Sequence, residues 1–317
     1  MHSPLLSRRR FLGASGCLLA SAASGVPAVV TPDPPSPPEP IIDIHQHTNY
    51  SGRTTAQLIA HQRLMGVTTT VLLPAGRFYG LDAKCGTNES VAELHRARQG
   101  QFLYFANEVA DLEEAPEVIR RFLRAGAIGI GEQKFRVGSD SRFLERIARV
   151  AEEFHVPILM HFQHGVYNTD IQNFHRTLEK FPRVNFIGHA QTWWGNVDAK
   201  HDQKTLYPTG KVTAGGITDR LLADYPNIFG DHSAGSGLNF LVRDPDFAAD
   251  FISRHQDKLM FGSDCDDVVG RGPGCTGAQI LQNIRRLAPQ KPVQRKILYW
   301  NARRVLKLRS QPQMLTR

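Results

Sequence analysis

The sequence predicts an α/β fold, a single-domain (β/α)8 or TIM barrel. Eight short apolar runs alternate with helix-like amphipathic stretches over residues 41–310. No glycine-rich G-x-G-x-x-G turn follows the first run, which counts against a doubly wound open sheet. Polar residues of similar chemistry follow run after run, at the chain positions where a barrel carries its active site.

The N-terminus comes before this pattern. Ser7-Arg8-Arg9-Arg10-Phe11-Leu12 has the twin-arginine export pattern, and an uncharged run rich in Gly, Ala and Ser extends from Leu12 to Val30. Residues 1–30 are therefore expected to be an export signal, placing the mature protein in the periplasm or outside the cell. Residues 31–40 are proline-dense and read as an extended spacer. The barrel domain is expected to fill residues 41–310.

Expected strands cover 41–44, 67–73, 102–105, 127–130, 157–160, 184–187, 227–229 and 258–261. Expected helices cover 54–65, 89–98, 116–124, 141–154, 170–180, 217–224, 246–254, 276–287 and 293–308. Ser141 and Pro116 sit where a helix N-cap and a first helical turn want them. The longest interruption, 191–215, contains Trp193, Trp194, His201, Tyr207 and Pro208 and reads as a lid over the barrel mouth or as a surface excursion that packs its own tryptophans.

Composition narrows the function. The formal net charge is +8; Arg8, Arg9 and Arg10 are partly offset by Asp33 and Glu39, which leaves the domain about +7. That balance favours anionic substrates. The body of the chain has no dense basic run interleaved with aromatics, so nucleic acid is not an expected partner. It has no apolar stretch long enough for a stable membrane anchor. Cys85, Cys265 and Cys275 are too few and too widely spaced for a disulfide framework, although Cys265 with Cys275 is a candidate bridge. A homo-oligomer is compatible with all of this.

The strand ends carry the chemistry. Strand one ends in His45-Gln46-His47, and residues two apart on a strand share a side. Strand four ends in Glu132-Gln133-Lys134, strand five in His161, strand six in His189, strand seven in Asp231 and strand eight in Asp264. Imidazole and carboxylate are the ligand set of zinc and similar divalent ions. A catalytic ion needs about three such ligands and an open position.

This ordered set resembles the amidohydrolase superfamily of metal-dependent hydrolases. The tail Ile297-Leu298-Tyr299-Trp300-Asn301-Ala302-Arg303-Arg304-Val305-Leu306 is similar to the signature of its amidohydrolase-related family 2 branch. The resemblance implies one or two divalent ions, zinc first, held by His45, His47, Asp264 and some of His161, His189 and a strand-four residue. Glu132 is favoured over Lys134 for that last position. Asp264 is then the proton acceptor, and His189 polarises the substrate. Expected substrate contacts are Lys134, Arg77, Trp193, Trp194, His164 and Asp231, around a small molecule with an amide, ester or lactone bond. A mononuclear decarboxylase of the same barrel family is the alternative, and an exported metal- or ligand-binding protein without turnover is the third reading.

Overall fold

The computed structural model describes residues 39–76 and 85–308, within the compact unit that spans Pro38–Arg317. The export signal and all but the end of the spacer lie outside the described residues, as does Arg77.

Eight parallel strands form: β1 (Ile42–Gln46), β2 (Thr69–Leu72), β3 (Phe102–Tyr104), β4 (Ile130–Gln133), β5 (Ile158–His161), β6 (Phe186–His189), β7 (Ile228–His232) and β8 (Leu259–Phe261). They pair in sequence order as β1-β2-β3 and β4-β5-β6-β7-β8. Backbone bonds cross both seams. Ala106 N donates to Gly129 O and Gly131 N to Ala106 O, both at 2.9 Å, and Asp264 N donates to His45 O at 2.8 Å. The result is a TIM barrel, as the alternation predicts. Strands covered on both faces need continuous apolar runs, and that is why every run was visible.

Helices cover the strands: α1 (Thr55–Leu64), α2 (Asn88–Ala97), α3 (Ala115–Arg124), α4 (Arg142–Phe154), α5 (Phe174–Lys180), α6 (Gln191–Gly195), α7 (Ile217–Asp224), α8 (Ala234–Arg243), α9 (Pro245–His255), α10 (Thr276–Leu287), α11 (Lys291–Arg295) and α12 (Asn301–Val305). Ser141 caps α4 by accepting from Leu144 N, and Pro116 lies in the first turn of α3. The expected last helix is instead α11 and α12 joined by a π-helical turn, Lys296–Trp300. One core cluster gathers Ile42, Ile44, Val71, Leu73, Phe105, Leu159, Ile187, Phe229 and Met260, from nearly every strand, with α12 residues Ala302 and Val305. A larger cluster lies between strands and helices. Among the described residues no helix is long and apolar enough to cross a membrane.

Two expectations need correction. The segment 191–215 does not begin as an open excursion. Its first residues form α6, which turns Trp193 and Trp194 into the core at 0% and 2% exposure. Trp193 stacks on Phe162, and Trp194 stacks on Phe240. Gly188 makes this possible, because a side chain there would run into the Trp193 indole. The other correction concerns Asp231, expected at a substrate: it lies within β7, and the chain after it turns directly into α8.

Candidate metal centre

His45, Glu132, His161, His189 and Asp231 lie in the last two residues of their strands, and His47 and Asp264 lie just beyond theirs. β4 shows the shift most clearly: expected at 127–130, it runs to Gln133 and so carries Glu132 inside the strand, buried. In β5 and β6, His161 and His189 are register partners, and their rings lie 5.3 Å apart. The β1 histidines come to the same point. His45 Nε2 is 3.6 Å and His47 Nε2 3.8 Å from Glu132 Oε2. His189 Nε2 is 3.5 Å from Glu132 Oε1. On the other side His47 Nε2 is 3.3 Å from Asp264 Oδ1, while His45 and His189 Nε2 are 3.8 and 3.6 Å from Asp264 Oδ2.

These separations fit a shared cation. Most are long for hydrogen bonds between such groups. Ligand atoms bound to one ion at about 2.0–2.2 Å stand roughly 3.0–3.5 Å apart, close to what is seen. His45 Nε2 and Asp264 Oδ1 are buried and meet no hydrogen-bond partner among the described residues, a costly state for polar atoms. The residues therefore fit a divalent cation on their own geometry, and the same groups form the candidate cation sets His45–His47–Asp264 and Glu132–His161–His189.

The second nitrogen of each ring explains why the first is available. His45 Nδ1 meets Asp231 Oδ2 at 2.7 Å, and His47 Nδ1 meets the Leu73 carbonyl at 2.8 Å. His189 Nδ1 meets Ser233 Oγ at 2.8 Å, and that hydroxyl donates onward to Asp231 Oδ2 at 2.7 Å. A carboxylate or carbonyl can only accept, so the ring proton sits on Nδ1 in His45 and His47. The serine's proton goes to Asp231, which assigns His189 the same tautomer. All three Nε2 lone pairs then face the centre.

Asp231 is thus corrected: it is fully buried behind His45 and His189 and does not face a substrate. Gly262 permits this, since a side chain there would meet Asp231 Oδ1, His45 and Ser233. His161 stands apart from the three. Its Nδ1 bonds Glu132 Oε1 at 2.5 Å, and its Nε2 lies 3.4 Å from Gln163 Oε1. Of the two strand-four candidates, Glu132 joins the cluster; Lys134 lies beyond the strand with its Nζ 5.3 Å from the Tyr167 ring. His164 is exposed, and its backbone N donates to Thr192 Oγ1. Trp193 and Trp194 are sealed in the core and line nothing a substrate reaches.

Electrostatics follow from the crowding. Burial alone would raise Asp264 and Glu132, but adjacent imidazoles win: His45 and His47 hold Asp264, and His161 and His45 hold Glu132, well below the ordinary carboxylate range. Burial opposes charge on His47, yet Cys85 and Asp264 lift it to about 10, so a proton competes with a cation for its Nε2 and binding the cation releases that proton. Burial together with the neighbouring His45 pushes His189 down. Burial also raises Asp231, against the pull of His45. Half-buried Tyr50 is raised, first by desolvation and then by the Asp264 carboxylate beside it.

Several participants carry no pattern in sequence. Tyr50 sits edge-on to His47 at 4.9 Å, in a turn after the histidine pair. Arg53 donates to Cys265 O at 2.7 Å and to Gln46 Oε1, while Gln46 Nε2 donates to Ser263 Oγ and Cys265 O at 2.9 and 2.8 Å. These bonds clamp the segment after β8, where Asp264 holds a left-handed φ of 39°. Asn107 donates to Pro74 O and Glu132 O and so ties three strand ends together. Only the Gly-Ser-Asp close to a strand end hinted at this in advance.

The amidohydrolase family Amidohydro_2 matches residues 76–308, a span that holds Glu132, His161, His189 and Asp264 and leaves out His45 and His47. An uncharacterised TIM-barrel protein of Bordetella bronchiseptica superposes with a TM-score of 0.60 at 18% identity, over 85% of this chain and 99% of that one. A 2,6-dihydroxybenzoate decarboxylase of Rhizobium gives 0.57 at 16% identity, over 85% and 99%. A probable 2-pyrone-4,6-dicarboxylic acid hydrolase of Acinetobacter baumannii gives 0.57 at 14% identity, over 84% and 99%. At these identities the likeness is one of fold. No curated protein matches the chain in sequence.

Proposed function

The chain belongs to the Amidohydro_2 family of amidohydrolases, and we propose that it hydrolyses an amide, ester or lactone bond of a small molecule with the help of one or two divalent ions. One observation carries this reading: three imidazole Nε2 atoms and two anionic carboxylates meet at one point, with every imidazole proton held on the far nitrogen. His45, His47 and Asp264 would hold the ion, with Glu132 and His189 completing its surroundings or, with His161, holding a second. Such an ion, zinc first, supplies Lewis-acid polarisation and lets water ionise near neutral pH.

The protein groups divide the remaining work. Asp264 is the proton acceptor, because its Oδ1 is buried without a hydrogen-bond partner among the described residues and its carboxyl is anionic across the physiological range. It takes a proton from the attacking water and returns it to the leaving group. Tyr50 stands beside that carboxylate. His189, kept neutral by burial and by His45, directs its Nε2 at the substrate's electrophile. Asp231 serves His45 directly and His189 through Ser233, so one carboxylate aligns two rings. Lys134, partly buried beside Tyr167, contributes positive charge for an anionic substrate. Export by the twin-arginine route belongs to the same proposal and rests on Ser7–Leu12 alone.

Decarboxylation is the second reading, favoured by the fold likeness to the Rhizobium enzyme as well as to the hydrolase. Elemental analysis of the purified chain, followed by product assays on aromatic acids and on lactones, tests both. One or two ions per chain with hydrolysed acid as product supports the proposal. Carbon dioxide as product transfers it to the second reading. A chain that binds no divalent ion after loading overturns both.

A further inference from the structure

Behind the centre lies a second cluster of ligand-type side chains, made of different atoms. Cys265 follows Asp264 directly, and Cys275 caps α10. Their Sγ atoms are 3.8 Å apart, both residues are buried, and both are free thiols. His61, fully buried on α1, places Nε2 3.4 Å from Cys275 Sγ. Met65, one turn further along, places Sδ 3.8 Å from the same sulfur. His61 has no oxygen partner to explain its position: Nε2 faces sulfur, and Nδ1 is buried without a partner among the described residues.

The bridge expected between Cys265 and Cys275 is not formed, and the spacing suits something else. A disulfide needs sulfurs about 2.05 Å apart. Two sulfurs bound to one tetrahedral ion at about 2.3 Å stand roughly 3.8 Å apart, and a sulfur and an imidazole nitrogen on it roughly 3.5 Å. The observed 3.8 and 3.4 Å match both edges. The Cys275 sulfur also receives a backbone N–H bond from Ala278 at 3.3 Å.

We propose that Cys265, Cys275 and His61 bind a thiophilic metal ion, with Met65 on its fourth side, separately from the nitrogen and oxygen centre at the barrel mouth. Soft sulfur donors select Zn(II) or Cu(I) over magnesium or calcium. Such an ion would tie α1 to both ends of the 265–275 loop and so anchor the residue after Asp264.

Cadmium titration of the full-length, reduced chain tests this. Sulfur-bound cadmium gives an ultraviolet charge-transfer band that nitrogen and oxygen ligands do not. The expected result is a band that saturates at one ion per chain and survives both Cys85→Ser and His47→Ala. It should vanish in Cys265→Ser and Cys275→Ser, with circular dichroism reporting whether those variants fold. Cadmium-edge X-ray absorption of the unmutated chain gives the same answer without a variant: two or more sulfur neighbours support the site. The proposal fails if fully titratable thiols give no band, if the band disappears in Cys85→Ser, or if mass spectrometry finds Cys265 and Cys275 joined in the chain as purified.

Discussion

Asp231 and His232 are consecutive residues of β7, both 0% exposed, and they face opposite sides of the strand. Asp231 points into the barrel, behind the mouth, where its Oδ2 meets His45 and Ser233 at 2.7 Å. His232 looks outward, where its ring stacks on Trp194 at 4.4 Å and on Phe240 at 5.5 Å. Neither of its nitrogens meets a partner among the described residues, and burial pushes its pKa down to about 3. Two polar residues of equal burial therefore serve different ends. The first is wired to position other groups, and the second acts as an aromatic plate that must stay neutral. Burial by itself says nothing about function; the partners decide it.

The sharpest way to break this division is at the mouth. Asp264→Asn should leave circular dichroism unchanged while kcat, measured on the metal-loaded variant, falls at least about a thousandfold, some 4 kcal/mol of barrier. Normal turnover in a metal-loaded variant would remove Asp264 from the mechanism. On the outer side, Trp194→Ala should cost about 3–5 kcal/mol in denaturant unfolding, as loss of a buried aromatic does, while metal bound per folded chain stays the same. A loss of metal with unchanged stability would mean that the two faces are not separate. Asp231→Asn keeps shape but gives up the charge behind His45. It should weaken metal affinity about 10–100-fold in a competitive chelator titration, with only a small change in stability.

The smallest effect is on pH. Unfolded His232 binds a proton below about 6.5 and the folded residue only below about 3, so the unfolded state carries more protons in between. Stability must then fall as pH falls through that window. The His232 contribution should be about 1–2 kcal/mol between pH 7 and pH 5, seen as a shallower acid slope in His232→Phe than in the parent chain. Equal slopes would show that the buried ring finds a partner in solution.

The barrel and the order of its candidate ligands were legible in sequence because both are one-dimensional patterns. Parallel strands buried on both faces must be apolar runs, and a ligand at the C-terminal rim must come at the end of one. His45, His47, Glu132, His161, His189 and Asp264 were singled out in that way, and the structure gathers them into candidate cation sets. The misreadings have one common cause. Trp193 and Trp194 follow a strand and Asp231 lies at the end of one, and a linear pattern cannot say whether such a residue turns toward the mouth or packs behind it. The tryptophans turned inward because Gly188 leaves room for an indole, and Asp231 retreated because Gly262 leaves room for a carboxylate. Tyr50 and Arg53 lie in and beside a short turn whose path no periodicity predicts.

By itself, then, the sequence determined the number and order of the strands and the identity of the atoms that could meet at their ends, since alternation and residue type are local properties. Tertiary structure alone decided which of those atoms meet. The tautomers of His45, His47 and His189 depend on acceptors 186, 26 and 44 residues away. Cys275 lies 214 residues from His61. Contacts across such separations are set by how the barrel closes, and no stretch of chain short enough to read contains both partners.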